Sequence, residues 1–143
     1  MEIEEIVNTL KKNKLFKGLS EETIKDIAPY ISVREFKKGR IIFFEGDTGR
    51  FLFLIKRGKL EILKKNNKGE EVQIALFGPG DFIGEMALIE ESVRSATCRA
   101  VEDSEVLLFS HRAFFDLIES KPKAACKLLL EIAKVLSKRL RDL

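Results

Sequence analysis

The segment Gly84 to Thr97 reads GEMALIEESVRSAT. It opens with a carboxylate, Glu85, closes with a guanidinium, Arg94, and holds the small residues Gly84, Ala87, Ser95 and Ala96. Small residues let a ligand come close to the backbone. Backbone N–H groups at the start of a short helical turn bind anions, and GEMAL can form such a turn. Arg94 can fork onto phosphate oxygens, and Ser95 can add a hydroxyl donor. Glu85 would repel a phosphate, so its natural task is to accept a hydrogen bond from a sugar hydroxyl. The set fits a ligand with one phosphate charge and one free hydroxyl, and it needs no metal. The plainer alternative is a Glu85–Arg94 ion pair in a solvated loop. Such pairs are worth little and leave the small residues unexplained.

Other chemistry is poorly provided for. The one histidine, His111, falls at an expected helix start and reads as a cap or surface residue. Metal-dependent β-barrel enzymes present several histidines, which this chain lacks. Cys98 or Cys126 paired with His111 stays open on sequence alone. Cys98, however, lies in an apolar run, and both cysteines read as ordinary packing residues. Two cysteines are too few for a four-thiolate iron–sulfur cluster. No G-x-x-x-x-G-K-[ST] occurs. In GPGDFIG, Gly78 to Gly84, Ile83 stands where a dinucleotide loop needs its third glycine. No enzyme activity, cofactor or metal is expected.

The elements that must hold the segment follow from glycine. All but one of the nine glycines fall between Gly39 and Gly84. There the runs ISVREF, IIFF, FLFLIK, LEIL and VQIALF alternate with the turn segments KKG, EGDTG, RG, NNKG and GPGD. Ile31 and Val33 share one side of the first run, with Phe36 as a further candidate. The glycines of EGDTG, Gly46 and Gly49, read as a plain turn. ATCRAV and EVLLFS add two strands, so many short strands predict a β-roll or barrel. The ends read as helices. Ile3, Ile6, Val7 and Leu10 form a stripe. Ser20 caps a second helix that Pro29 discourages, Ser110 caps a third, and Pro122 starts the last.

The chain has 143 residues, 45% of them hydrophobic and 34% charged, and a formal charge of +3. Those values suit one soluble domain and do not call for nucleic acid, and the basic end, Lys134, Lys138, Arg139 and Arg141, reads as the solvated face of an amphipathic helix. No apolar run reaches the length of a membrane span, and MEIEEIVNTLKKNK is no signal peptide. With two widely spaced cysteines, the reading predicts a cytoplasmic protein.

GEMALIEESVRSAT closely resembles the phosphate-binding cassette of the cyclic nucleotide-binding domain family. LFKGLSEETIKDIAPYISVREFKKGRIIFFEGDTG, FLFLIKRGKLEI, FGPGDFIGE and LSKRLRDL resemble other parts of that family, so the likeness covers nearly the whole chain. It implies that Glu85 binds the ribose 2′-hydroxyl and Arg94 the exocyclic phosphate oxygens. It implies that Gly84, Met86, Ala87, Ser95 and Ala96 line the cyclic phosphate. The chain departs at Val93, where eukaryotic kinase members usually have proline.

The expected fold is mainly β with flanking α. It is an eight-stranded antiparallel β-roll or jelly roll with N-terminal helices and two C-terminal helices. The expected division is one domain over 1–143, with N-terminal helices at 1–29, the roll at 30–110 with its cassette at 84–97, and C-terminal helices at 111–143. The expected function is a stand-alone sensor that binds cAMP, or cGMP in its place, with Val72 and Ile74 in the base pocket and Cys98 and Ala100 as further candidates. The resemblance implies that the leucine at Leu88 moves inward with the ligand and that the last helix closes as a lid. That helix is also expected to pair two copies through Leu129, Ile132, Leu136 and Leu140 or Leu143. An unidentified downstream protein would read the signal, with no nucleic acid and no membrane involved. The rivals are a non-binding scaffold or dimerisation domain, the effector domain of a truncated transcription regulator, and a metal-dependent β-roll enzyme.

Overall fold

In a computed structural model that describes all 143 residues, helices occupy the two ends of the chain and strands the middle. Helix α1 spans Ile3–Lys11 and buries Ile6, Val7 and Leu10, while Ile3 stays exposed. Helix α2 spans Glu21–Ile27. The Ser20 hydroxyl accepts from the Thr23 N–H at its start, and a 3₁₀ turn at Ala28–Tyr30, holding Pro29, follows it.

Eight strands follow: β1 (Ser32–Phe36), β2 (Ile41–Phe43), β3 (Phe51–Arg57), β4 (Leu60–Lys65), β5 (Glu71–Phe77), β6 (Phe82–Ile83), β7 (Thr97–Ala100) and β8 (Ser104–Ser110). A four-residue helix, α3 (Met86–Ile89), interrupts them after β6. They form two four-stranded sheets, ordered β1-β8-β3-β6 and β2-β7-β4-β5, with every pairing antiparallel. Helix α4 (His111–Ser120) is capped by the Ser110 hydroxyl, which accepts from Ala113 N–H at 2.9 Å. Helix α5 (Pro122–Arg141) carries its proline in the first turn. No helix is long and apolar enough to cross a membrane.

The run FLFLIK is apolar on both faces because β3 serves two cores. Leu52 and Leu54 join the helices in a cluster of 20 buried residues, among them Leu10, Phe16, Leu88, Phe109, Phe114 and Leu128. Phe53 and Ile55 point the other way, into a smaller cluster between the sheets. A strand covered on both sides reads as a continuous apolar run for this reason. The same alternation corrects one expectation for β1. Val33 packs on the helical core and Phe36 enters the inter-sheet core, because three residues of separation put them on opposite faces.

Two further expectations are corrected. Cys98 is buried, but Cys126 is exposed on α5 and packs against nothing in the core. Ile132 is fully buried in the core that the helices share, so it is not available for pairing a second copy. The exposed apolar face of α5 runs instead through Leu129, Leu130 and Leu140.

Candidate ligand-binding site

The cassette begins where β6 ends. Gly84 has φ of +83°, which lets the chain turn out of β6 into α3. It also makes room: a Cβ there would strike Arg94 Nη1 and lie 3.2 Å from the carbonyl oxygen of Phe51. Glu85 follows as the N-cap of α3, and the apolar residues Ala87 and Leu88 turn inward. Leu88 belongs to the core made by the helices, so the cassette is packed directly on them.

Arg94 is returned to this spot by a loop pinned to the turn after β2. Its N–H donates to Asp47 O at 2.7 Å, and its own carbonyl accepts from Gly46 N–H at 2.9 Å. Gly49 N–H donates to Ser92 O at 2.7 Å. The guanidinium then lies over the Phe43 ring at 4.4 Å and near Phe53 at 5.6 Å, and Nη2 donates to Phe51 O at 2.7 Å. Cation–π contact of this kind holds a guanidinium in place. Burial pulls the Arg94 pKa below its ordinary value, and the negative charges around it, including Asp47 and Glu85, oppose that pull. An arginine remains charged under such a shift. Four of its five N–H donors are left for a ligand after the bond to Phe51.

Gly49 corrects the reading of EGDTG as a plain turn. A Cβ there would lie 2.9 Å from Arg94 Nε and 3.2 Å from Ser92 O, so this glycine is needed for Arg94 to lie flat. Gly46, with nothing within 4 Å, is the plain turn residue.

These elements surround a cavity of about 330 Å³. Gly84, Glu85, Met86, Ala87, Arg94, Ser95 and Ala96 all line it. The backbone N–H groups of Glu85, Ser95 and Ala96 have no acceptor within the protein. Free amides beside a guanidinium suit an anion. Glu85 is 2% exposed, and no ion pair joins it to Arg94. Its partner is Arg139 from the last turns of α5, which donates to Oε1. Sequence reading assigned Arg139 to the solvated face of a helix. Only its place in LSKRLRDL, beside the leucines of the last helix, could have drawn attention to it.

Val72 and Ile74 lie elsewhere. They are 44% and 57% exposed on the outer face of β5, and the apolar wall of the cavity comes from Ile62, Phe77 and Phe43. Cys98 and Ala100 are buried in the inter-sheet core rather than on the cavity surface. Burial pushes the Cys98 thiol up to about 12, so it is an inert packing group.

The pattern described as the cyclic nucleotide-binding domain matches residues 33–121, well over half of the chain. The chain belongs to the cyclic nucleotide-binding domain family. It is 37% identical over 133 residues to the Cyclic AMP receptor protein of Thermus thermophilus, a match that covers 93% of this chain and 60% of that protein. The chain therefore spans little more than half the length of that relative. Among solved structures, the N-terminal domain of a transcriptional regulator from Streptomyces coelicolor superposes with a TM-score of 0.85 at 28% identity, covering 94% of both chains. A cyclic nucleotide-binding domain from Methylobacillus flagellatus gives 0.81 at 33% identity, covering 98% of this chain and 79% of that one. In this cyclic nucleotide-binding domain, the mainly β architecture of two four-stranded sheets with flanking helices is the architecture of its neighbours.

Proposed function

We propose that this domain binds cAMP and acts as a regulatory sensor whose helix α5 responds to the ligand, without catalysing a reaction on it. The observation that carries the reading is the meeting of Glu85, Arg94 and Arg139 around one cavity. Arg94 and the free amides of Ser95 and Ala96 take the phosphate oxygens. Glu85 accepts from the ribose hydroxyl through Oε2, since Arg139 is on Oε1. Ile62 and Phe77 offer an apolar wall for the base. The name of the Thermus relative supports cAMP over cGMP. The cavity falls within the range of small-molecule sites.

Arg139 gives α5 a reason to respond. It ties the last turns of that helix to the residue that would meet the sugar. A ligand that binds better when α5 is closed shifts the helix toward that state. Titration calorimetry with cAMP and cGMP, combined with amide exchange, tests the proposal. cAMP is expected to bind more tightly and to slow exchange across 123–143. Absence of binding would refute the sensor reading, and binding with unchanged exchange would refute the role of α5.

A second copy is the proposed partner for the outer face of α5. Cys126, Leu129, Ala133 and Leu140 are exposed along that face, and with the half-buried Leu136 they follow a three-four spacing, the pattern of a coiled-coil seam. Analytical ultracentrifugation with Leu129→Glu and Leu140→Glu tests it. The parent is expected as a dimer and the doubly charged variant as a monomer.

A further inference from the structure

His111 stands where the cassette, β3 and the C-terminal helices meet. Its backbone N–H donates to Arg50 O at 2.8 Å, just before β3. Its ring lies 4.6 Å from the Phe115 ring. Its Nδ1 lies 3.0 Å from the carbonyl oxygen of Ala87. A carbonyl only accepts, so Nδ1 carries the proton and donates.

The Ala87 carbonyl needs that donor. The last carbonyls of a helix have no partner within it. Helix α3 ends at Ile89, and Glu90 then turns to an extended backbone at φ −150°. Glu90 N–H takes Met86 O, and no backbone N–H reaches Ala87 O. Ala87 is 2% exposed and lines the ligand cavity, so water is a poor substitute. His111 closes this end of α3 from the first turn of α4.

We propose that His111 is a positioning residue. It holds the cassette helix at a set distance from α4, so that a shift of Ala87 on ligand binding is passed to α4 and through it to α5. Leu88 links the same parts by apolar packing, which tolerates sliding. The hydrogen bond is directional and does not. The transmission rests on the cyclic nucleotide reading above, whereas the link from α3 to α4 does not.

The test uses the full chain with His111→Phe and His111→Asn. Phenylalanine keeps an aromatic ring against Phe115 and removes the donor. Asparagine places an amide N–H the same number of bonds from Cα as Nδ1 and restores it. Titration with cAMP is expected to show about five-fold weaker binding for His111→Phe, the size of one lost hydrogen bond. The slowing of α5 exchange by cAMP should shrink in that variant, and His111→Asn should recover both. Parent-like behaviour of His111→Phe would overturn the proposal, and so would equal losses in both variants. If the parent itself fails to bind cAMP, the sensor reading falls, and exchange without ligand decides the rest. Faster exchange at Leu88 and Glu90 in His111→Phe alone would uphold the link, and unchanged exchange would overturn it.

Discussion

The Arg139 guanidinium donates to Oε1 of Glu85 across 54 residues of sequence. The two side chains are unequally placed: that of Glu85 is 3% exposed and that of Arg139 is 57% exposed. A buried carboxylate without a partner is costly, so the pair anchors the end of α5 to the cavity. Arg139→Ala is expected to lower stability by about 1–2 kcal/mol, the scale of a charge-assisted bond with one solvated partner. Glu85→Gln in the same chain should recover part of that loss, because it removes the orphaned charge. Denaturant midpoints of the four proteins check this. Strictly additive effects would show that the two residues do not interact.

Arg94→Ala should weaken cyclic nucleotide binding by about 2–5 kcal/mol, since a desolvated phosphate loses its charge partner. The fold should survive, but not untouched. Arg94 stacks on Phe43 and donates to Phe51 O, so about 1 kcal/mol of stability should be lost as well. Calorimetric titration and a thermal melt separate the two effects. A variant that binds as tightly as the parent would remove Arg94 from the site.

Glu85→Gln should cost less, on the order of 1–2 kcal/mol in binding, because an amide oxygen still accepts from a hydroxyl. A 2′-deoxy ligand offers a sharper check. It should bind the parent more weakly than the ribose form does, and Glu85→Ala should lose little further with it. Equal discrimination by parent and Glu85→Ala would mean that Glu85 does not meet the sugar.

Gly84 and Gly46 both have left-handed backbones, with φ of +83° and +93°. They differ in their surroundings. Gly46→Ala meets open space, so it should cost about 1 kcal/mol of backbone strain and leave affinity intact. Gly84→Ala carries the same strain and also collides with Arg94 and the Phe51 carbonyl. It should be less stable than Gly46→Ala and bind ligand more weakly. Matching melting temperatures and affinities for the two variants would contradict the close approach seen at Gly84.

Asp81 predicts a pH effect. Burial works to raise its pKa, but the Gly78 N–H and the Lys14 ammonium together outweigh burial and hold it below the usual carboxylate value. A depressed folded-state pKa means the charged form is favoured by folding. The stabilisation is therefore present above the unfolded value of about 3.9 and is lost as pH falls through the lower folded value. Melting temperature followed from pH 7 downward should fall more steeply in the parent than in Asp81→Asn. Parallel curves would show that Asp81 contributes nothing to the acid limb.

Local chemistry explains what could be read directly from the residues. The cassette is contiguous, so Gly84, Glu85, Ala87, Arg94, Ser95 and Ala96 could be grouped before any folding was considered. Helix starts at Ser20 and Ser110 were legible because a cap acts within three residues. The many short strands were legible because turns need glycine and strands alternate.

Tertiary structure decided what alternation leaves open. A strand has two faces, and its period does not say which one meets the cavity. On β5, Val72 and Ile74 are as apolar as any binding wall, yet Ala75 and Phe77 are the residues that turn inward. A register shift in β4 between Ile62 and Leu63 accompanies that pairing, and no local signal marks it. Gly49 could be distinguished from Gly46 only once Arg94 was folded against it. Arg139 looked like one more solvated cation until α5 was docked, because a helix's own sequence does not state where its end will lie. The sequence by itself determined the family, the strand-rich middle and the acid–base pair of the cassette, since those rest on neighbours in the chain. The cavity wall, the support beneath Arg94 and the partner of Glu85 rest on contacts between distant segments, and only packing brings those together.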